Sequence, residues 1–232
     1  MNWVTKKFEK TNRRKLAVGL FMLLIIISSA IMVKQPPYMT LPLTVSIFIM
    51  LLQTGINRYA LLPGGLNSII YAIVDFSMGI PASAWYALLF SFPLQIIAFI
   101  NWNRNKYKSS TILKSLSIKA IVIGILFAIC WVSVFTTLYI DGNPYAILDS
   151  TSSLLGILGT FLTMLAYKEY PYVSLVSGVI SIFLNVQVCL NDINRIPYLI
   201  FSIYSYICVI ITFININKLY KEQREILKLN TI

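Results

Sequence analysis

The sequence predicts an all-α polytopic membrane protein with eight transmembrane helices, and three observations carry that prediction. The chain of 232 residues is 58% hydrophobic and 12% charged, with a mean hydropathy of +0.78, so it has too little polar surface to cover a soluble globule. Its apolar residues fall into runs long enough to cross about 30 Å of hydrocarbon. The runs are separated by turn signals at Pro36-Pro37, Gly79-Ile80-Pro81, Asp141-Gly142-Asn143-Pro144 and Lys168-Glu169-Tyr170-Pro171. A net charge of +11 would suggest nucleic acid in a soluble chain. Here the cations lie between and outside the apolar runs, which makes them orienting charges and excludes a nucleic-acid partner.

In chain order, the first span covers about residues 16–33 behind a basic N-tail of Lys6, Lys7, Lys10, Arg13, Arg14 and Lys15. Ser28-Ser29-Ala30 resembles a cleavage site, but the run is long for a signal peptide and reads as an uncleaved anchor. The second span covers about 38–56, the third 61–79 and the fourth 82–102, followed by a polar connection over 103–117. The fifth is a plain run at 118–140, with Trp131 as its sizeable amphipathic residue. The sixth, at 145–167, carries Gly156 and Gly159 on a small-residue face suited to close packing. The seventh covers 172–190 and the eighth 196–216, before a charged cytoplasmic tail at 218–232.

Eight spans put both termini on one side. Of the 19 Lys and Arg residues, 17 then fall on the side of the termini, leaving Lys34 and Arg195 opposite. The positive-inside rule makes the terminal side cytoplasmic.

The chain contains no histidine, the commonest general base, proton shuttle and zinc ligand at neutral pH. Cys130, Cys189 and Cys208 are single and lie inside apolar runs, so they read as small buried hydrophobes. An intramembrane enzyme is disfavoured, and no catalytic residue, metal or cofactor is expected. There is no GxxxxGK[ST] loop to bind ATP.

The chain also repeats itself weakly. A shift of 114 residues lays Phe99-Ile100-Asn101-Trp102-Asn103-Arg104 on Phe213-Ile214-Asn215-Ile216-Asn217-Lys218, and Gly64 on Gly178. Spans two to four thus correspond to six to eight, and span five is a connector. The predicted units are 1–37 (N-tail and extra helix), 38–114 (first repeat), 115–144 (connector), 145–217 (second repeat) and 218–232. A period of four spans preserves direction through the membrane, giving parallel repeats.

Gln95 is the first candidate for function, because an amide inside hydrocarbon is costly unless it faces a cavity or a partner helix. The expected substrate pathway is lined by Asn67, Tyr71 and Gln95 from the first triplet and by Asn185, Tyr204 and Tyr206 from the second. Aromatic rings stack on a flat ligand while amides satisfy its polar groups. Tyr198 is assigned to the interfacial aromatic belt. Asp75 and Asp149 fall near the outer ends of their spans rather than at the midplane, which favours facilitated diffusion over ion coupling.

Pro63-Gly64-Gly65-Leu66-Asn67-Ser68-Ile69-Ile70-Tyr71-Ala72, then Met78-Gly79-Ile80-Pro81-Ala82, Phe92-Pro93-Leu94-Gln95 and Ile100-Asn101-Trp102 together resemble the PnuC-type vitamin transporters. Leu148-Asp149 and Tyr167-Lys168-Glu169 extend the likeness into the second triplet, so that it covers about residues 38–222. The resemblance implies a three-plus-one-plus-three, SWEET-like fold in a bacterial plasma membrane, and no enzyme activity. It implies uptake of a nucleoside-like vitamin: nicotinamide riboside, or the thiamine, riboflavin and deoxynucleosides assigned to relatives. Riboside carriers of this type place Trp and Asn on the seventh span. Here Ser174 and Gly178 stand at those positions, which tilts the expectation towards another nucleoside or vitamin. The partners expected are the small-molecule substrate, the bilayer and a cytosolic kinase that traps the product, with homo-oligomerisation left open. The alternative is the substrate-binding membrane subunit of a larger ATP-driven transporter, docked through Gly156 and Gly159.

Overall fold

The computed structural model describes residues 3–116 and 120–229. The helices are α1 (Trp3–Met32), α2 (Pro37–Thr54), α3 (Leu61–Ser77), α4 (Pro81–Arg104), α5 (Ala120–Ile140), α6 (Ala146–Met164), α7 (Tyr170–Asn191) and α8 (Ile196–Leu229). Among the described residues, 7 helices are long and apolar enough to cross a membrane; in α5 the apolar stretch Ile129–Ile140 is shorter. Large apolar side chains face outward on all sides, including Leu24, Ile73, Ile129 and Phe183, as expected of a surface solvated by lipid. Cys130 is also on this outer surface, whereas Cys189 and Cys208 are buried as expected.

The helix boundaries follow local chemistry. Proline opens α2 and α4, where its fixed φ suits the first turn and its missing N–H costs nothing. Five helix ends close by the same device, a residue of positive φ followed by an N–H that reaches five residues back. Gly79 (φ 72°) and Gly142 (φ 71°) supply that conformation after α3 and α5, and Lys34, Ile56 and Ala166 adopt it after α1, α2 and α6. The closing bonds are Gln35 N to Ala30 O, Asn57 N to Leu52 O, Ile80 N to Asp75 O, Asn143 N to Leu138 O and Tyr167 N to Leu162 O. Within α4, residues Tyr86–Ser91 widen into a π-helical segment just before Pro93, which cannot donate into the regular ladder.

The helices close into a ring. Each of α2, α3 and α4 packs on the next, as do α6, α7 and α8, while α4 meets α6 and α8 meets α2. Outside the ring, α1 lies against α2 and α8, and α5 against α6. The two seams are tied alike at the basic end. Asn101 Nδ2 donates to Met164 O at 3.3 Å, and Asn215 Nδ2 donates to Thr54 O at 2.6 Å. Each amide thus satisfies a C-terminal carbonyl that has no partner within its own helix. At the opposite end, Asp149 on α6 accepts from Ala82 N (2.9 Å), Ser83 N (2.9 Å) and Ser83 Oγ (2.6 Å) at the start of α4. On the other seam, Tyr198 Oη donates to Met39 O at 2.6 Å.

Two features depart from the expected organisation. The 103–117 connection holds a short antiparallel hairpin, Lys106–Tyr107 with Ser110–Thr111. The expected tail is a continuation of α8, whose polar residues have a docking role. Gln223 accepts from Leu113 N and donates to Thr111 O, both at 2.9 Å, and Glu222 pairs with Lys108 and accepts from Tyr107 Oη. From the α2–α3 linker, Arg58 donates to Lys108 O at 2.8 Å and to Ser110 O at 3.3 Å.

Asp149→Ala leaves the buried Ala82 N–H and the half-buried Ser83 N–H at the start of α4 without their acceptor, at a cost of about 1–3 kcal/mol for a buried orphaned donor. The thermal unfolding midpoint of the purified variant in detergent is expected to fall, and by more than for Ser83→Ala. An unchanged midpoint would show that the start of α4 is held by packing alone.

Candidate functional site

Two cavities lie inside the ring. The first, at the basic end, has a volume of about 330 Å³ and is walled by residues that include Asn57, Trp102, Thr163, Tyr170, Ser174, Gly178 and Thr212. The second, about 340 Å³, reaches the opposite end and is walled by residues that include Asn67, Tyr71, Asp75, Ile80, Asn185 and Tyr198. They share Met50, Gln53, Tyr86, Gln95, Ser181, Ser202 and Ser205, so the two chambers meet at a neck on which Gln95 sits.

Close helix approach shapes that neck. A Cβ added to Gly64 would collide with Gln95 Oε1, so glycine on α3 is what lets the amide lie across the helix. On the second triplet, a Cβ on Gly178 would stand 2.7 Å from the Tyr206 ring, and one on Gly156 would stand 2.7 Å from the Tyr86 ring. Gln95 Nε2 donates to Ser91 Oγ at 2.8 Å, while Oε1 has no partner. Tyr86 Oη shares a 2.9 Å hydrogen bond with Thr160 Oγ1, linking α4 to α6 at the level of the neck.

In the second chamber, Asn67, Tyr71 and Asp75 recur at intervals of four residues and form one polar stripe along α3. Asn67 Nδ2 is bound to Pro42 O and Ser46 Oγ, each at 2.9 Å. Because a carbonyl only accepts, this fixes the amide with Oδ1 unpaired. Of the six buried side-chain N and O atoms without a partner among the described residues, three, Asn67 Oδ1, Tyr71 Oη and Gln95 Oε1, belong to this chamber's walls. Buried polar atoms are normally satisfied. Their concentration on one wall marks a surface suited to a polar ligand.

Of the six residues expected from sequence, four, Asn67, Tyr71, Gln95 and Asn185, are brought together on the cavity walls. Tyr204 and Tyr206 line neither cavity. Tyr204 is buried in the α2–α8 seam with Oη donating to Ile47 O at 3.1 Å, and the Tyr206 ring fills the space over Gly178. Residues 204 and 206 point to different faces at 3.6 residues per turn, so one helix could not bring both rings to the same wall. Tyr198 is no belt residue: it is 5% exposed, reaches Met39 and walls the second chamber. Sequence reasoning passed over Tyr86 and the serines Ser91, Ser181, Ser202 and Ser205. Pro93, whose missing N–H interrupts the ladder inside an apolar run, is the sequence signal that marked the irregular stretch holding Tyr86. Ser174 and Gly178 do line the first chamber, but the Tyr206 ring occupies the space that a side chain at Gly178 would take.

These features can be set beside known proteins. The family described as nicotinamide mononucleotide transporter matches residues 39–217. A comparison with curated protein sequences returns no match. Among solved structures, a crystal structure of the vitamin B3 transporter PnuC has the same fold, with a TM-score of 0.72 at 17% identity over 90% of this chain and 92% of that one. With most of its length matched by the family, the chain belongs to the nicotinamide mononucleotide transporter family of membrane proteins.

Proposed function

We propose that the protein carries a nucleoside-like vitamin or a nucleoside across the membrane by facilitated diffusion, and that phosphorylation by a cytosolic kinase traps the product. The observation that carries this reading is the pair of chambers, one towards each end of the ring, that share Gln95 on their walls. Such an arrangement needs only a local rearrangement at the neck to pass a solute from one side to the other. The polar wall suits a ring with hydroxyl or amide substituents, since Asn67 Oδ1, Tyr71 Oη and Gln95 Oε1 are free to engage them.

The family's description names a mononucleotide, but the walls favour the dephosphorylated form. Among the described residues, no Lys or Arg lines either chamber. A phosphate would enter without the charge-assisted donors that normally receive it. Nicotinamide riboside, thiamine, riboflavin and deoxynucleosides are the candidate substrates. The small Ser174 side chain on the wall, where riboside carriers place a Trp, favours one other than nicotinamide riboside.

The topology belongs to the same proposal. Eight spans, α1 through α8, put both termini in the cytoplasm of a bacterial plasma membrane, with the hairpin and the α8 extension on that side. Spans α2–α4 and α6–α8 are parallel repeats. The paired ties of Asn101 and Asn215, donors that the 114-residue shift superposes, support this.

Three outcomes test the reading. Gln95→Ala is expected to lower uptake of the substrate at least about tenfold at unchanged surface expression, the scale of one buried polar contact with a ligand; a wild-type rate would remove Gln95 from the path. Gly64→Ala, which drives a methyl into Gln95 Oε1, is expected to reduce uptake in the same direction while Gly55→Ala, where a methyl has ordinary room, does not. Purified protein alone in liposomes is expected to equilibrate the substrate, and binding without equilibration would contradict a self-sufficient carrier.

A further inference from the structure

Asp75 is the single charged side chain on the walls of the two chambers among the described residues. It is 9% exposed, and its carboxylate makes no hydrogen bond or ion pair there. Other charges nearby are already engaged. Asp149 gives its oxygens to the start of α4. Arg195 is held by Asp192 at 3.0 Å and donates to Met39 Sδ and Ser77 O. An ionised carboxylate left unpaired in a buried site is costly, and a cation arriving beside it relieves that cost.

The surroundings fit a flat cation. One turn along α3 from Asp75, Tyr71 stands edge-on to Tyr198, with ring centroids 6.5 Å apart and planes at 83°. Both rings wall the chamber, and rings so placed attract a positive charge through their faces. Asn67 Oδ1, with no partner and on a residue only 4% exposed, adds a further acceptor to the same wall.

We infer that Asp75 is a specificity-determining residue that selects a substrate whose aromatic ring is positively charged, such as an N-substituted pyridinium or thiazolium, over neutral rings of the same shape. This rests on the cavity reading above and narrows it: nicotinamide riboside and thiamine remain, while riboflavin and deoxynucleosides are disfavoured. Together with the absence of wall cations, it describes a path that accepts a cationic ring and rejects its phosphate ester.

The test uses full-length protein purified in detergent and isothermal titration with two probes, nicotinamide riboside and its neutral 1,4-dihydro form, with thiamine and a deoxynucleoside as a second charged and neutral pair. The wild type is expected to bind the cationic member of at least one pair about tenfold or more tightly than the neutral member. Asp75→Asn is expected to erase that preference by weakening the cation alone, and Asp75→Glu to keep it, with thermal midpoints confirming that both variants fold. Equal binding of charged and neutral members by the wild type would overturn the role of Asp75, as would an equal loss of both in Asp75→Asn. Failure of every probe and of riboflavin to bind would instead overturn the reading of the chambers as a nucleoside path.

Discussion

The ring depends on how its two seams are closed. A helix leaves its last carbonyls unpaired, and within a membrane no water is at hand to satisfy them. Asn101 and Asn215 resolve this at two equivalent places, each reaching from the third helix of one triplet to the last turn of the first helix of the other. The bond is local in energy and global in effect: it fixes α4 against α6 and α8 against α2, and so sets the width of the space between the triplets. Trp102 reinforces the first seam, its indole donating to Thr163 O at 2.8 Å.

At the other end the two seams differ. One is closed by a carboxylate, Asp149, acting as the acceptor at the N-terminus of a helix on a different segment, where backbone N–H groups and the helix dipole both favour negative charge. The other is closed by a neutral phenol, Tyr198. This leaves Asp75, close to both, as a carboxylate with no structural duty.

Much of this was legible in the sequence. Composition, the breaks at Pro36-Pro37 and Gly79-Ile80-Pro81, and the small residues of α6 follow from single-residue physics and marked most helix ends to within a few positions, although α1 begins and α8 ends more than ten residues beyond the apolar runs. The repeated Asn at 101 and 215 was visible as a pattern, though its purpose was not, because a carbonyl acceptor leaves no trace in side-chain identity. The same reason hid the docking of Gln223 on the hairpin: a polar helical tail looks like a solvated one until its partner backbone is in place. Of the site, Asn67, Gln95 and Asn185 were legible because polar atoms in hydrocarbon demand explanation, while Gln53 and Asn57, at the end of an apolar run, were passed over. Among the tyrosines Tyr71 falls on the wall as expected, but Tyr86, Tyr198, Tyr204 and Tyr206 were not legible, because belt, seam and cavity wall suit that side chain equally, and only the facing of each helix decides among them.

The continuous α8 has a mechanical consequence. Its 34 residues span roughly 50 Å as a single rod, and its far end is fastened to the hairpin through Glu222 and Gln223. The hairpin segment is in turn fastened to the α2–α3 linker by Arg58, and to the α6–α7 turn through Lys114 N to Ala166 O and Lys168 N to Lys114 O, each at 2.9 Å. Both triplets are therefore strapped together at the basic end by a strip of backbone that belongs to neither. A rocking of α8 large enough to part that end must carry the strap along or tear it. The opposite end is held instead by separate side-chain ties, those of Asp149, Asn143, Arg195 and Tyr198, each of which breaks on its own without moving a shared strip of backbone.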